Sequence, residues 1–201
     1  MLLDGFFSAG QGGYYLLVLV FMALLVGLYL WGSSRREKNT RADELQNTYR
    51  EMTADKLAAV PDDQLVDAVI ANLMAKLDPH HPDPYRTIPM LSHGRCVVYS
   101  VWLLCRELDN AGFEELLESP SSAFCALGAD GFDTLGAVRC AEAVRAALRT
   151  EEEEELAERH ADFLEAMQDE QPLARCVDFI RDNAPDFLDE DSEDDPVSRG
   201  E

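Results

Sequence analysis

The chain opens on one long apolar run and continues as shorter segments whose apolar residues recur every three or four positions. The long run, YYLLVLVFMALLVGLYLW, covers residues 14–31, 18 residues without a charge. At 1.5 Å per residue it reaches about 27 Å, close to the ~30 Å hydrocarbon core of a bilayer. Tyr14 and Tyr15 at one end, Tyr29 and Trp31 at the other, suit the two membrane interfaces. The pattern predicts a single transmembrane helix over residues 14–31, preceded by a short external leader, residues 1–13. A cleaved signal peptide fits less well, because the leader contains Asp4 and no Lys or Arg, and no A-x-A-like site follows Trp31. Arg35, Arg36, Lys38 and Arg41 come directly after the run. Positive-inside logic then places the N-terminus outside and the remainder in the cytoplasm, with the inner (plasma) membrane as the expected location.

Residues 32–60 read as a polar spacer with a helical stretch at 42–52. Pro61, Asp62 and Asp63 open a helix whose apolar face is Leu65, Val66, Val69, Ile70, Leu73, Met74 and Leu77, with Asp62 or Asp63 as the expected cap. Residues 78–91 hold four of the nine prolines and read as a loop. Ser92 is placed to cap a helix over 93–109, apolar on most sides and therefore expected at the centre of a core. Gly112 falls where a left-handed helix terminus is expected. A short helix follows at 113–118, then Pro120 in a first helical position, then a segment 123–127 that runs to Gly128. Phe132 and Leu135 begin the next helical region, broken or bent at Gly136 and continued by Val138, Ala141, Val144, Ala147 and Leu148. A helix with Leu156, Phe163, Leu164 and Met167 starts in residues 151–155, and a last one opens at Pro172 and ends at Pro185. No segment shows period-two alternation with hairpin turns. The predicted class is all-α: the membrane helix, then a compact multi-helix cytoplasmic domain over residues 61–187 and a tail over 188–201.

Charge divides the chain in two. Of 201 residues, 39 are acidic and 17 basic, a net charge of −22. Residues 1–106 are nearly neutral, with 11 acids and 10 bases, whereas residues 107–201 hold 28 acids and 7 bases. Residues 186–201 alone carry eight acids and one base, so disorder is expected beyond Leu188. Residues 107–185 still sum to −14, so the helices themselves carry acidic surfaces. Such a balance excludes a direct nucleic-acid binder, which needs a basic face for phosphates. The candidate acidic interaction surface is Glu151, Glu152, Glu153, Glu154, Glu155 and Glu158.

Candidate chemistry adds little. Cys96, Cys105, Cys125, Cys140 and Cys176 are odd in number and lack C-x-x-C spacing, so they read as small core residues in a reducing compartment. The adjacent His80 and His81 have no supporting ligands at metal spacing and read as a solvated pair. No G-x-S-x-G, H-E-x-x-H or phosphate loop is present. No catalytic residue, metal or cofactor is assigned, and the chain reads as a non-enzyme.

The segment LSHGRCVVYSVWLLCRELDNAGF, residues 91–113, resembles the DNA-mimic-protein (DMP) C-terminal-domain family, small acidic helical bacterial proteins. The matching positions are Arg95, Val98, Tyr99, Trp102, Leu104, Glu107, Leu108, Asn110, Gly112 and Phe113. Ala111 stands where the family pattern has a glycine, and Leu116 with Leu117 where it has an aromatic pair. Leu135, Gly136 and Ala137 are similar to a family turn, and residues 179–187 resemble its closing segment, so the likeness covers about 91–187. The motif reads as structural. Tyr99, Trp102 and Phe113 supply buried area, Asn110 caps the next short helix, Gly112 permits a sharp reversal, Ala111 keeps negative φ, and Glu107 serves in a cap or ion pair. The resemblance implies carboxylates that imitate duplex phosphates and occupy the basic face of a DNA-binding protein. Expected partners are therefore the lipid bilayer through residues 14–31 and a basic or DNA-binding protein, with a homodimer left open. The competing reading is a helical domain whose acidity reflects a high-salt cytoplasm.

Overall fold

The computed structural model describes residues 42–77, 88 and 91–189. The apolar run 14–31, the basic residues after it, His80, His81 and the tail from residue 190 lie outside these. Among the described residues no helix is long and apolar enough to cross a membrane. The chain divides into two units, Met1–Leu45 and Gln46–Glu201. Of the first, only residues 42–45 are described, and they are helical. The hydrophobic core belongs to the second unit.

The described residues of this second unit form helices and no strand, as the periodicity predicts. In order these are α1 (Ala54–Ala59), α2 (Asp62–Met74), α3 (His93–Asn110) and α4 (Phe113–Glu118). A 3-10 turn (Pro120–Phe124) leads into α5 (Cys125–Thr134), α6 (Val138–Ala147), α7 (Glu153–Glu170), α8 (Pro172–Asp182) and a closing 3-10 turn (Ala184–Phe187). α3 is the central element, with Val97, Val98, Tyr99, Val101, Leu103, Leu104, Cys105 and Leu108 all buried. Its start is capped by Ser92, whose hydroxyl accepts from Arg95 N at 3.4 Å. Asp62 and Asp63 do not cap α2. Pro61 is the N-cap and makes no side-chain bond; both aspartates lie in the first turn, where the helix dipole favours negative charge, and Asp62 also pairs with Arg181.

The glycines depart from the sequence expectation. Gly128 is not a helix end: Gly128 and Gly131 lie inside α5, on the side facing α3. A Cβ at Gly128 would sit 2.2 Å from Leu104 Cδ1, and one at Gly131 would sit 2.9 Å from Val101 Cγ2. Close approach of two backbones, rather than chain reversal, is what these glycines permit. Gly112 in turn is not left-handed. Its φ is −90° and ψ 179°, and a Cβ there would meet nothing nearer than His160 Nδ1 at 3.8 Å. Ala111 keeps negative φ, at −141°. The left-handed glycine is Gly136, with φ +73°. There Ala137 N donates to Phe132 O at 2.8 Å and Gly136 N to Asp133 O at 2.9 Å, which closes α5 in a Schellman turn.

The core also extends beyond 61–187 in both directions. Met52, Leu57 and Val60, expected in a polar spacer, are buried, and Thr53 caps α1. At the other end the chain packs as far as Asp189, whose N–H donates to Met52 O at 2.9 Å. A line of edge-to-face rings, Phe113–Phe163 at 6.0 Å and Phe163–Phe132 at 5.6 Å, joins α4, α7 and α5.

Candidate partner-binding surface

The basic side chains of this unit are largely engaged within the fold. Arg139 bridges Glu165 at 2.9 Å and Asp169 at 2.5 Å. Arg145 holds Asp130 at 2.8 Å and Asp133 at 2.7 Å. Arg159 pairs with Asp162 at 2.6 Å, and Arg181 with Asp62 at 2.7 Å. Arg175 donates to the carbonyls of Glu170 and Leu135, and the Arg106 guanidinium lies 5.3 Å from the Trp102 ring centroid.

The acids greatly outnumber these bases, and most of the described ones are exposed. Glu151, Glu152, Glu153, Glu154, Glu155 and Glu158 are all exposed. Their only ion pair among the described residues is Glu158 with its neighbour Arg159, at 3.5 Å. Glu153, Glu154 and Glu155 form the first turn of α7, where the helix dipole favours negative charge. α4, which carries the exposed Glu114, Glu115 and Glu118, packs beside α7 through Phe113 against Phe163 and His160. His160 Nε2 lies 2.7 Å from Leu108 O and ties α7 to the end of α3.

The family-motif residues build the fold rather than this surface. Tyr99 and Phe113 are buried as expected, but Trp102 is half-buried at the core edge. Asn110 does not cap α4; its side-chain amide donates back to Arg106 O at 2.6 Å, and Gly112 is the N-cap. Glu107 is half-buried and makes neither a capping bond nor an ion pair among the described residues. Arg95 anchors a polar clasp. Its Nη2 donates to Asp189 Oδ1 at 2.6 Å and to Phe187 O at 2.9 Å. Asp189 also takes Lys76 Nζ at 2.8 Å, Met52 N at 2.8 Å and Asn72 Nδ2 at 2.9 Å. Nothing in the local sequence marks Asp189 as different from the acids beside it, so sequence reasoning misses the clasp.

A second device that the sequence does not signal joins α7 to α6. The Glu170 carboxylate accepts from Arg139 N and Cys140 N, each at 3.0 Å, and so caps a helix whose own N-cap, Ala137, has no side-chain acceptor. Burial works to raise the Glu170 pKa, but these two N–H donors, with the Cys140 thiol and Arg175, hold it below the usual range. Glu170→Ala is expected to cost about 1–2 kcal/mol, measured by denaturant unfolding. Because the folded pKa is depressed, this contribution is complete above the unfolded value near ~4.3 and is lost as pH falls through the folded one. An acid titration of stability should therefore fall less steeply in Glu170→Gln than in the parent.

All five thiols are free, and four are buried. Burial pushes Cys125 up to about 11 and Cys140 and Cys176 up to about 12, which suits inert core residues. No group of His, Cys, Asp and Glu among the described residues could hold a metal ion.

The fold is thus an all-helical, strongly acidic module built around one central helix. Residues 90–198, more than half of the chain, match the DMP19-like protein family, and the chain belongs to it. Comparison with curated proteins and with solved structures gave no match.

Proposed function

We propose that this chain is a single-pass membrane protein whose acidic helical domain binds a basic, DNA-binding protein by charge mimicry. The observation that carries the reading is the unequal use of charge. Among the described residues the fold engages most arginines internally and leaves the glutamates of α4 and of the α7 start exposed and largely unpaired. Membership of a DMP19-like family supports a basic, DNA-binding partner for that surface. A dense negative field steers a basic partner and competes with duplex phosphate for the same face. The module acts here as a binding surface and not as an enzyme.

The anchor is part of the proposal. Residues 14–31 have the length and apolarity of a bilayer span, and Arg35, Arg36, Lys38 and Arg41 behind them favour a cytoplasmic domain. Tethering the module there would hold its partner at the inner membrane, away from the chromosome. Reporter fusions at each end should place the C-terminus in the cytoplasm, and an external C-terminus overturns this part.

The binding experiment is capture of basic cytoplasmic proteins on the full-length chain at low salt, with and without added duplex DNA. DNA should release the captured protein. Replacing Glu151, Glu152, Glu153, Glu154, Glu155 and Glu158 by glutamine should weaken capture and flatten its salt dependence. Equal recovery with and without DNA overturns mimicry and leaves the acidity as a high-salt adaptation.

A further inference from the structure

A groove of about 500 Å³ lies between α2 and α8, with none of the α7 glutamates in its lining, and combines an apolar floor with an acidic rim. Val66, Leu173 and Val177 form the floor, and Leu173 is 41% exposed, one of few large apolar side chains among the described residues so open to solvent. Asp62, Asp63, Asp67 and Asp178 form the rim. Arg181 neutralises Asp62 and closes that side by donating also to the carbonyls of Leu57 and Val60, at 2.7 and 2.6 Å. Asp63, Asp67 and Asp178 have no ion-pair partner among the described residues. Asp63 and Asp67 stand four apart on one helix face, where like charges repel.

We infer that this groove seats a basic amphipathic helix of a partner protein. The inference rests on the binding role proposed above and adds a second, sequence-selective contact to it. A second copy of this chain is a poor occupant, because its net charge of −22 would bring acids onto acids. A wholly polar cation would leave the floor uncovered. A helix with leucines three and four residues apart covers Val66, Leu173 and Val177, while flanking Arg or Lys residues one turn apart meet Asp63, Asp67 and Asp178. Carboxylates at the α7 start would then supply long-range attraction, and the groove would select among basic proteins by apolar fit.

The probe is a synthetic amphipathic peptide of about 16 residues, ~24 Å as a helix, with Arg and Lys on one face and photoreactive leucine at the centre of the other. Crosslinked to the full-length chain and mapped by mass spectrometry, it should attach at Val66, Leu173, Ala174 or Val177. Leu173→Asp should lower the crosslinking yield about tenfold, as should the same peptide with serine for its other leucines. Asp63→Asn with Asp67→Asn should lower it as well, with unchanged circular dichroism in each variant. Crosslinks spread over the α7 glutamates, or yields insensitive to Leu173→Asp, overturn the groove. If DNA still displaces the captured protein in that case, mimicry stands and only the groove fails. If DNA displaces nothing while peptide crosslinks map to the groove, mimicry fails and the groove stands.

Discussion

Asp189→Ala is expected to lower the unfolding free energy by about 3 kcal/mol, the low end of the range for removing one partner of a buried charge pair. The low end applies because the Asp189 side chain retains 16% exposure and that of Arg95 10%. The loss arises on the arginine. Its Nη2 would keep Asn72 Oδ1 at 3.3 Å and Phe187 O at 2.9 Å but lose its counter-ion, and its Nε already lacks a partner. Met52 N and the Asn72 amide lose an acceptor at the same moment. A chain ended after Leu188 should lose as much, whereas Asp182→Ala, at an exposed position, should stay within ~0.5 kcal/mol. Burial works to raise the Asp189 pKa, but Lys76 and the donors Met52 N and Asn72 hold it below the usual carboxylate range. The contribution is therefore present above the unfolded value near ~3.9 and lost as pH falls through the folded one. Denaturant unfolding at pH 7 and pH 3 should show the parent–variant gap shrinking in acid. A difference below ~0.5 kcal/mol at pH 7 would remove the clasp as a stabilising element.

Arg95 is legible as a motif position, but its role is not, because its partner lies 94 residues away within a run of acids. The all-α class and the long helices α2, α3, α7 and α8 are legible, since apolar residues at three- and four-residue steps carry their packing, whereas α1 lies in a stretch that reads as spacer and α5 runs through the glycine that reads as a helix end. Pro120, Pro172, Ser92 and Gly136 act as local rules predict, each answering to its own backbone geometry. Local rules fail where the deciding contact is tertiary. Met52 reads as spacer because one buried methionine makes no period, and Asn110 reads as a cap because the reach back to Arg106 O is an equally local alternative. The glutamates of the acidic surface are legible as a run. Their lack of basic partners is not, because it depends on which arginines the fold assigns to α5 and the C-terminal half of α7.

The largest core effect is expected at Gly128. Gly128→Val should destabilise by about 3 kcal/mol or more, because its Cβ would start 2.2 Å from Leu104 Cδ1 and 2.9 Å from Leu104 Cγ. Leu104 is fully buried on the central helix, in a close-packed core where a side chain rotates only at a cost, so the strain falls on the α3–α5 contact. Helix propensity runs the other way. Gly→Ala in a helix interior gains about 1 kcal/mol, so Gly128→Ala should cost less than Gly128→Val and still be unfavourable. Gly112→Ala supplies the contrast. Its backbone lies in the β region and the space beside it is open, so the change meets no clash, and only a loss of about 0.5–1 kcal/mol from the poorer N-cap is expected, partly offset by restricting the unfolded chain. The mechanism can be separated from simple helix weakening by pairing the change with Leu104→Ala. If crowding is the cause, Gly128→Val should cost less in the Leu104→Ala background than alone, a coupling of about 1 kcal/mol or more. Additive losses would place the cost in the helix itself and remove the close α3–α5 approach as the reason for glycine at 128.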